Sequence, residues 1–213
     1  MNMTLITLQN IHQSFGDQVV LKDFSLDIKE KEMLAITGPS GSGKSTILNI
    51  IGLLLKPTKG ERTHFGKKNV RINSGKAISL LRTEIGYLFQ NFALIDNESV
   101  MRNMLIAARY AERSGKKERI REALEEVGLS GKEKQKVFTL SGGEQQRLAM
   151  ARLMVKPCRV ILADEPTGNL DHDNQDRIMD LLTKLSETGK SIVMVTHERR
   201  LLDRFDRVVT LDS

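Results

Sequence analysis

The chain has 213 residues, of which 39% are hydrophobic and 28% charged, and its formal net charge is +6. This length suits one domain with a well-formed core, and no apolar run approaches the roughly 18–20 residues of a membrane-spanning helix. Cys158 is the only cysteine, which excludes an internal disulfide, and the first fifteen residues lack the pattern of a secretory signal. We therefore expect a protein of the cytoplasm.

The positive charge does not by itself predict a nucleic-acid partner. Most basic residues alternate with acidic ones, as in Lys116-Lys117-Glu118-Arg119, which is typical of a solvated helix surface. The chain has no tryptophan, and aromatic residues make up 4% of it, so a platform for stacking bases is not expected. This balance of charge is compatible with work close to anionic lipid headgroups.

The first ninety residues predict mostly strands. Residues 4–8 and 19–28 alternate in part and carry β-branched side chains, and the turn between them predicts an antiparallel hairpin. The apolar runs 33–36 and 85–89 predict short buried strands. Residues 61–79 are polar and punctuated by glycines, and they show no clear periodicity.

A phosphate-binding loop follows the strand at 33–36. Gly38 to Ser45 fit the pattern of glycine, four residues and Gly-Lys-Ser/Thr, and apolar residues at helical spacing come next. A strand, a glycine-rich turn and a helix aim backbone N–H groups at an anion. Lys44 would reach the β- and γ-phosphates, and the Ser45 hydroxyl would bind Mg²⁺. The nucleotide-binding candidates are Gly38, Ser40, Gly41, Ser42, Gly43, Lys44, Ser45 and Thr46.

A helical block interrupts the strands after residue 90. Segments 99–113 and 116–127 are predicted helices, and a third helix is predicted from 141 to 155. Ser141 and Glu144 have the spacing of a capping box. Ser141, Gly142 and Gly143 would form a second anion-binding helix N-terminus, and the alternative is a simple capped helix.

Strands then alternate with helices again, and two strands end in polar residues. The apolar run 160–163 leads into Asp164-Glu165, and 192–195 leads into Thr196-His197; 208–211 predicts a last edge strand. Such strands predict a mainly parallel sheet with ligands at its carboxyl edge. Asp164 would hold the hydrated Mg²⁺, Glu165 would polarise the attacking water, and His197 would contact the γ-phosphate. An ordinary acidic turn and a structural histidine are the alternatives.

Taken together, these motifs resemble the nucleotide-binding subunit of an ATP-binding cassette (ABC) transporter over essentially the whole chain. Residues 38–46 resemble Walker A, Leu140 to Glu144 the signature motif, and 160–165 Walker B. Gln90 resembles the Q-loop glutamine, Asn169-Leu170-Asp171 the D-loop, and His197 the switch histidine. Phe15 lies where the family stacks an aromatic ring on adenine, and a core phenylalanine is the alternative.

The resemblance implies an α/β fold of the P-loop NTPase (RecA-like) type, with a mainly parallel sheet, an N-terminal antiparallel β part and an inserted helical subdomain. Residues 1–213 would form one ABC ATPase domain, with 1–89 and 156–213 as the ATP-binding core and 90–155 as the helical subdomain. Glu165, His197 and Gln90 would be catalytic. Ser45, Gln90 and Asp164 would hold Mg²⁺.

The resemblance also implies partners. Two subunits would form a homodimer around two ATP molecules, each held by Walker A of one subunit and the signature of the other. The dimer would drive an integral membrane permease subunit from the cytoplasmic face of the membrane, with Phe92, Leu94 and Ile95 as exposed candidates for the docking groove. The sequence is similar to the macrolide-exporter and lipoprotein-release group, and its 89–100 loop resembles bacteriocin-export ATPases. The alternative is a soluble ABC ATPase acting on nucleic acid or ribosomes.

Overall fold

Two β-sheets and two layers of helices make up the computed structural model, which describes residues 3–168 and 170–212. The strands of these residues are, in chain order, β1 Thr4–Phe15, β2 Gln18–Lys29, β3 Met33–Thr37, β4 Lys59–His64, β5 Lys67–Lys68, β6 Ile85–Leu88, β7 Val160–Asp164, β8 Ser191–Val195 and β9 Arg207–Thr210. The α-helices are α1 Lys44–Ile51, α2 Gly75–Thr83, α3 Val100–Ala107, α4 Lys116–Glu126, α5 Gly142–Val155 and α6 His172–Glu187. Short 3₁₀ helices lie at Ala108–Tyr110, Val137–Thr139 and Arg199–Arg204.

The larger sheet is parallel, with strand order β6-β7-β8-β3-β9. Its central strands are nearly continuous apolar runs because both faces of the sheet are covered. Successive side chains point to opposite faces. Thus Ile161 and Ala163 of β7 pack in the core with helices α3 to α6, whereas Val160 and Leu162 pack in the core with α1 and the second sheet.

The second sheet is antiparallel, with order β2-β1-β4-β5. The predicted N-terminal hairpin is present, and its strands extend to the turn, where Gly16 has a positive φ of 57°. The fold class predicted from the sequence is confirmed. The β4–β5 hairpin and most of α2 lie in the segment 61–79, which showed no clear periodicity in the sequence. For β4 the reason is that its buried face is formed by the polar side chains of Arg62 and His64.

The helices α3, α4 and α5 lie between β6 and β7 in the chain and pack together in one core. The helix predicted at 99–113 is shorter, because α3 ends at Ala107 and a 3₁₀ turn follows. Gly115, with a φ of 65°, precedes α4, as the sequence predicted. The subdomain limits at residues 90 and 155 stay a prediction. Along the described residues, none of the helices combines the length and the apolarity needed to cross a bilayer.

Candidate active site

Three neighbouring strands bring the polar motifs to one edge of the parallel sheet. β7, β8 and β3 are adjacent, and the residues that follow their carboxyl ends are Glu165, Thr196 and Gly38. Ligands of open parallel sheets bind at this edge. The phosphate loop, the acidic pair and the histidine therefore lie together at this edge of the sheet.

The phosphate loop has a backbone that requires glycine. Gly38, Gly41 and Gly43 have φ values of 146°, 82° and 92°. Gly43 is the N-cap of α1 and has no side-chain cap, and a Cβ atom there would lie 2.9 Å from Val20 and Leu21 of β2. The backbone N–H groups at the start of α1 are thus left for an external acceptor, which is the arrangement that binds phosphate.

Lys44 places a cation inside this loop. Its side chain is 7% exposed, and Nζ donates hydrogen bonds to the backbone oxygens of Gly38 at 2.9 Å and Pro39 at 2.6 Å. Among the described carboxylates, none forms an ion pair with Lys44. The positive charge is therefore available to an anion that enters the loop.

Ser45 and Asp164 face each other across the site. The Ser45 hydroxyl donates to Oδ1 of Asp164 at 3.0 Å. Burial raises the pKa of Asp164, and the hydrogen bond from Ser45 opposes that shift. A hydroxyl and a carboxylate are hard oxygen ligands of the kind that Mg²⁺ takes together with substrate phosphates, so the pair fits this ion. No described cluster of three or more His, Cys, Asp or Glu side chains offers a complete protein cage.

Glu165 and His197 lie side by side at this edge. Nδ1 of His197 lies 3.5 Å from Oε2 of Glu165, and Nε2 lies 3.4 Å from Oε1 of Glu198. Glu165 has a φ of 44°, which is a strained value for a residue with a side chain. Backbone hydrogen bonds hold it there, from its N–H to Val195 at 3.1 Å and from Gly168 to its oxygen at 3.2 Å.

The remaining candidates lie around this edge and differ in their exposure to solvent. Gln90 lies two residues beyond the end of β6, is exposed, and within the described residues forms no hydrogen bond with Ser45 or Asp164. Phe15 is 51% exposed at the end of β1, which excludes the alternative of a core phenylalanine. Ser40 and Gly41 are exposed, and Thr46 is half-buried. Asn169 of the D-loop lies outside the described residues.

The second candidate anion site lies at the start of α5. Ser141 accepts a hydrogen bond from the N–H of Glu144 at 3.3 Å, and Glu144 accepts one from the N–H of Ser141 at 2.8 Å, so the predicted capping box is present. A hydrogen bond from Lys132 lowers the pKa of Glu144 to about 2, and the bonds from Ser141 add to it. Within the described residues, no hydrogen bond joins Ser141, Gly142 or Gly143 to the phosphate loop.

Two buried glutamines near Glu165 escaped the sequence reasoning. Gln146 of α5 donates to the backbone oxygen of Pro166 at 2.6 Å, and Gln175 of α6 donates to that of Thr167 at 3.1 Å. Arg200 in turn donates to Gln175 at 2.7 Å. The sequence signal for both was a glutamine at helical spacing from apolar residues, as Gln146 is from Met150 and Gln175 from Ile178.

Comparison with known proteins assigns this site to a family. A family model described as ABC transporter matches residues 21–168, a stretch that contains the phosphate loop, the start of α5 and Glu165. The chain belongs to the ABC transporter family. Its ATPase domain is thus of the kind that hydrolyses ATP in transporter subunits, and the predicted family is confirmed.

The similar curated proteins lie within the predicted group. The ABC ATPase is 41% identical to the lipoprotein-releasing system ATP-binding protein LolD of Aquifex aeolicus, over 97% of this chain and 93% of that protein. It is 37% identical to the macrolide export ATP-binding/permease protein MacB of Escherichia coli, over 97% of this chain and 33% of that protein. The chain therefore spans about a third of the length of its MacB relatives.

Solved structures agree with the fold. The ATPase superposes with a TM-score of 0.86 and 37% identity on the ATP-binding cassette MJ0796, described as a dimer in a post-hydrolysis state bound to ADP and Pi. That match covers 97% of this chain and 94% of the other. These comparisons show no specific link to bacteriocin export.

Proposed function

We propose that this protein is the ATP-hydrolysing subunit of a transporter, which dimerises head-to-tail on ATP and drives a separate membrane subunit. The observation that carries the proposal is the edge of the parallel sheet, where the phosphate loop, the Ser45–Asp164 pair and the Glu165–His197 pair meet. The N-terminus of α5 supplies a second phosphate-binding element in the same chain.

The nucleotide would bind through its phosphates and its base. The N–H groups of the loop from Gly38 to Thr46 would surround the β- and γ-phosphates, and Lys44 would exchange its hydrogen bonds to the loop for bonds to phosphate oxygens. The exposed ring of Phe15 supports a stacking role on adenine.

Ser45 and Asp164 would hold Mg²⁺, with Gln90 as the third contact from the loop after β6. The ion, when bound, would neutralise charge on the phosphate oxygens. The half-buried carboxylate of Asp164, in contact with the Ser45 hydroxyl, would gain a counter-charge when a cation arrives.

Glu165 would orient and deprotonate the attacking water, and His197 would stabilise charge at the γ-phosphate. His197 stands between Glu165 and Glu198, and its two ring nitrogens lie 3.5 Å and 3.4 Å from their carboxylate oxygens. The strained backbone at Glu165 supports a functional constraint at this residue.

Dimerisation would complete each site. Ser141, Gly142 and Gly143 are exposed or half-buried at the start of α5 and make no bond to the phosphate loop within the described residues. In a head-to-tail dimer they would meet the nucleotide of the other subunit. The dimeric state described for MJ0796 supports this arrangement.

The membrane subunit would dock in a groove of about 240 Å³ beside the loop that carries Gln90. Its apolar lining includes Tyr87 and Phe89, whose rings stack at a centroid distance of 4.4 Å, and Ile106 of α3. Of the three docking residues chosen from the sequence, Phe92 lines this groove, although it is half-buried against the helical core and not exposed as expected. Leu94 is half-buried as well, and Ile95 is exposed, but neither belongs to the residues that line the groove.

The transported compound would be a lipoprotein, a peptide or an antimicrobial compound, moved by export or by mechanical transmission. The relatives LolD and MacB support this range, because LolD is named for lipoprotein release and MacB for macrolide export. The protein would then lie at the cytoplasmic face of the membrane, held by its partner. A soluble ATPase acting on nucleic acid is not favoured by these relatives.

The proposal is tested with the Glu165→Gln variant, which keeps the shape of the side chain but removes the base. We expect turnover to fall by roughly 100-fold or more, and a dimer to appear in sedimentation only when Mg-ATP is added. The matched control is Glu198→Gln, which removes the other carboxylate beside His197 and should keep turnover within about threefold. Undiminished hydrolysis by Glu165→Gln would remove this residue from its assigned role.

The docking groove is tested by comparing Ile106→Glu with Leu105→Glu. Both side chains are on α3 and equally exposed, at 39% and 38%, but only Ile106 lines the groove. We expect Ile106→Glu to lose membrane association in cells that contain the native partner, while Leu105→Glu retains it, because burying a charge in an apolar contact is unfavourable. Equal recovery of both variants with membranes would contradict the docking assignment.

A further inference from the structure

The loop that carries Glu165 depends on contacts from outside the sheet. Glu165 has a positive φ of 44°, and Pro166 follows it without an N–H group of its own to donate. Strain of this kind costs on the order of 1–3 kcal/mol and persists only where the surroundings hold the backbone in place. The backbone bonds of Glu165 reach β8 and Gly168, which leaves the orientation of the next peptide to other groups.

Gln146 provides one of these contacts, and it comes from the helical block. Its side chain is 3% exposed, and Nε2 donates to the backbone oxygen of Pro166 at 2.6 Å. The acceptor belongs to the residue that directly follows Glu165. A buried hydrogen bond of this kind is costly to break, because the carbonyl has no water to replace the lost donor.

The same helix begins with the signature motif. Gln146 lies four residues, or about 6 Å of helix, beyond Gly142. A helix is stiff over one turn, so a movement of its first residues is carried to Gln146. In the described structure, one helical turn of α5 and the hydrogen bond from Gln146 to Pro166 therefore connect the start of α5 to the backbone beside Glu165.

From this geometry we propose that Gln146 is a positioning residue, which couples the seating of the signature motif to the orientation of Glu165 in the same subunit. The inference rests on the proposed function, in which the signature of one subunit contacts the nucleotide of the other. Nucleotide bound to one subunit would then adjust Glu165 of its partner, so Gln146 would link the two ATP sites of the dimer.

The test replaces Gln146 by Met, which has a similar length but cannot donate. The matched control is Gln145→Met, because Gln145 is the preceding residue of α5 and its amide bonds remain inside the helical block, to Leu140 at 3.1 Å. Both variants are assayed as the full chain for kcat, KM for ATP, the Hill coefficient and thermal stability.

We expect Gln146→Met to lower kcat by roughly tenfold, to leave KM within about twofold, and to bring the Hill coefficient close to 1. Gln145→Met should change none of the three kinetic quantities by more than about twofold. A purely structural role of Gln146 would lower the melting temperature and the active fraction without changing the Hill coefficient. Equal kinetics for the two variants would overturn the inference.

Two further measurements keep the outcomes separate. If Gln146→Met does not fold, Gln146→Asn retains the amide with a shorter reach, and it should show an intermediate kcat with a reduced Hill coefficient; wild-type cooperativity in that variant would overturn the inference. If the wild type does not hydrolyse ATP and the Glu165→Gln variant does not dimerise, the proposed function itself is refuted. If the wild type hydrolyses ATP and the Glu165→Gln variant dimerises, but Gln146→Met keeps the Hill coefficient of the wild type, only the proposed coupling through Gln146 is refuted.

Discussion

The helices α1 and α5 both begin at glycine-containing motifs that are candidates for binding phosphate, yet their N-termini are built differently. At α1 the N-cap is Gly43 in a left-handed conformation without a side-chain cap, and the next residue is the buried cation Lys44. At α5 the N-cap is Ser141, which forms a complete capping box with Glu144. The carboxylate of Glu144 is itself paired with Lys132.

This difference shows that the same secondary structure can be an open or a satisfied anion site. The start of α1 leaves its N–H groups without side-chain acceptors and adds a full positive charge, so it can hold a phosphate group by itself. At α5 the chain already supplies an acceptor and a negative charge, and a helix dipole alone contributes only about 0.3–1 kcal/mol. We infer that α1 captures the nucleotide and α5 recognises one that is already held.

The opposite ends of the two helices differ as well. The last carbonyl groups of α1 accept bonds from the Tyr87 hydroxyl, to Leu48 at 2.9 Å, and from Nε2 of His64, to Ile51 at 2.8 Å. Both donors come from strands, so α1 is anchored to both sheets. α5 ends beside Lys156, whose Nζ donates to the backbone oxygen of Leu81 in α2 at 2.8 Å and whose backbone oxygen accepts from Nζ of Lys190 at 3.0 Å. Both helices are thus anchored at their C-terminal ends, α1 by side chains of two strands and α5 by lysine side chains.

The largest expected effect is on nucleotide affinity, when one residue at the N-terminus of α1 or of α5 is replaced at a time. We expect Lys44→Ala to weaken binding of a non-hydrolysable ATP analogue to the free subunit by roughly 100-fold, because two charge-assisted contacts are each worth about 1.5–3 kcal/mol. Ser141→Ala should change it by less than about twofold, because α5 recognises nucleotide only within a dimer. Calorimetric titration of dilute protein measures both affinities. Equal losses in the two variants would show that α5 binds nucleotide in the free subunit.

A smaller effect, on the pH dependence of stability, is expected at the C-terminal end of α1, where His64 donates to Ile51. Burial lowers the pKa of His64 from 6.5 to about 4; the hydrogen bond to Ile51 opposes this shift and the charge of Arg62 adds to it. Below pH 6.5 the unfolded chain therefore takes up a proton that the folded protein does not. The contribution of His64 to stability is complete above about pH 6.5, is lost as the pH falls, and levels off near pH 4; the total loss is about 3 kcal/mol.

The measurement is urea unfolding at pH 7 and pH 4.5 for the wild type and for His64→Gln. We expect the variant to lack the part of the acid loss that His64 causes, since glutamine has no proton to take up. The control is His172→Gln at the start of α6, where the histidine is exposed; it should keep the acid loss of the wild type. An unchanged pH dependence in His64→Gln would show that His64 is not the group responsible.

The parallel sheet and the phosphate loop followed from local patterns. The runs 33–36, 160–163 and 192–195 are apolar because both faces of their strands are buried, and no neighbouring information is needed to recognise them. The capping box at Ser141 was predictable for the same reason, since both partners lie within one turn. The β4 strand was not, because its inward side chains Arg62 and His64 are polar and are paired with carbonyls elsewhere in the fold.

By itself the sequence determined the chemistry of this protein, because a phosphate loop, an acidic strand end and a signature motif each need particular residues at a fixed spacing. Which residues surround that chemistry was decided only by the tertiary structure. The hydrogen bond from Gln146 to Pro166 joins residues twenty positions apart, and the bond from Tyr87 to Leu48 joins residues separated by thirty-nine. Such contacts depend on how strands and helices pack against one another, and a local pattern carries no record of that packing.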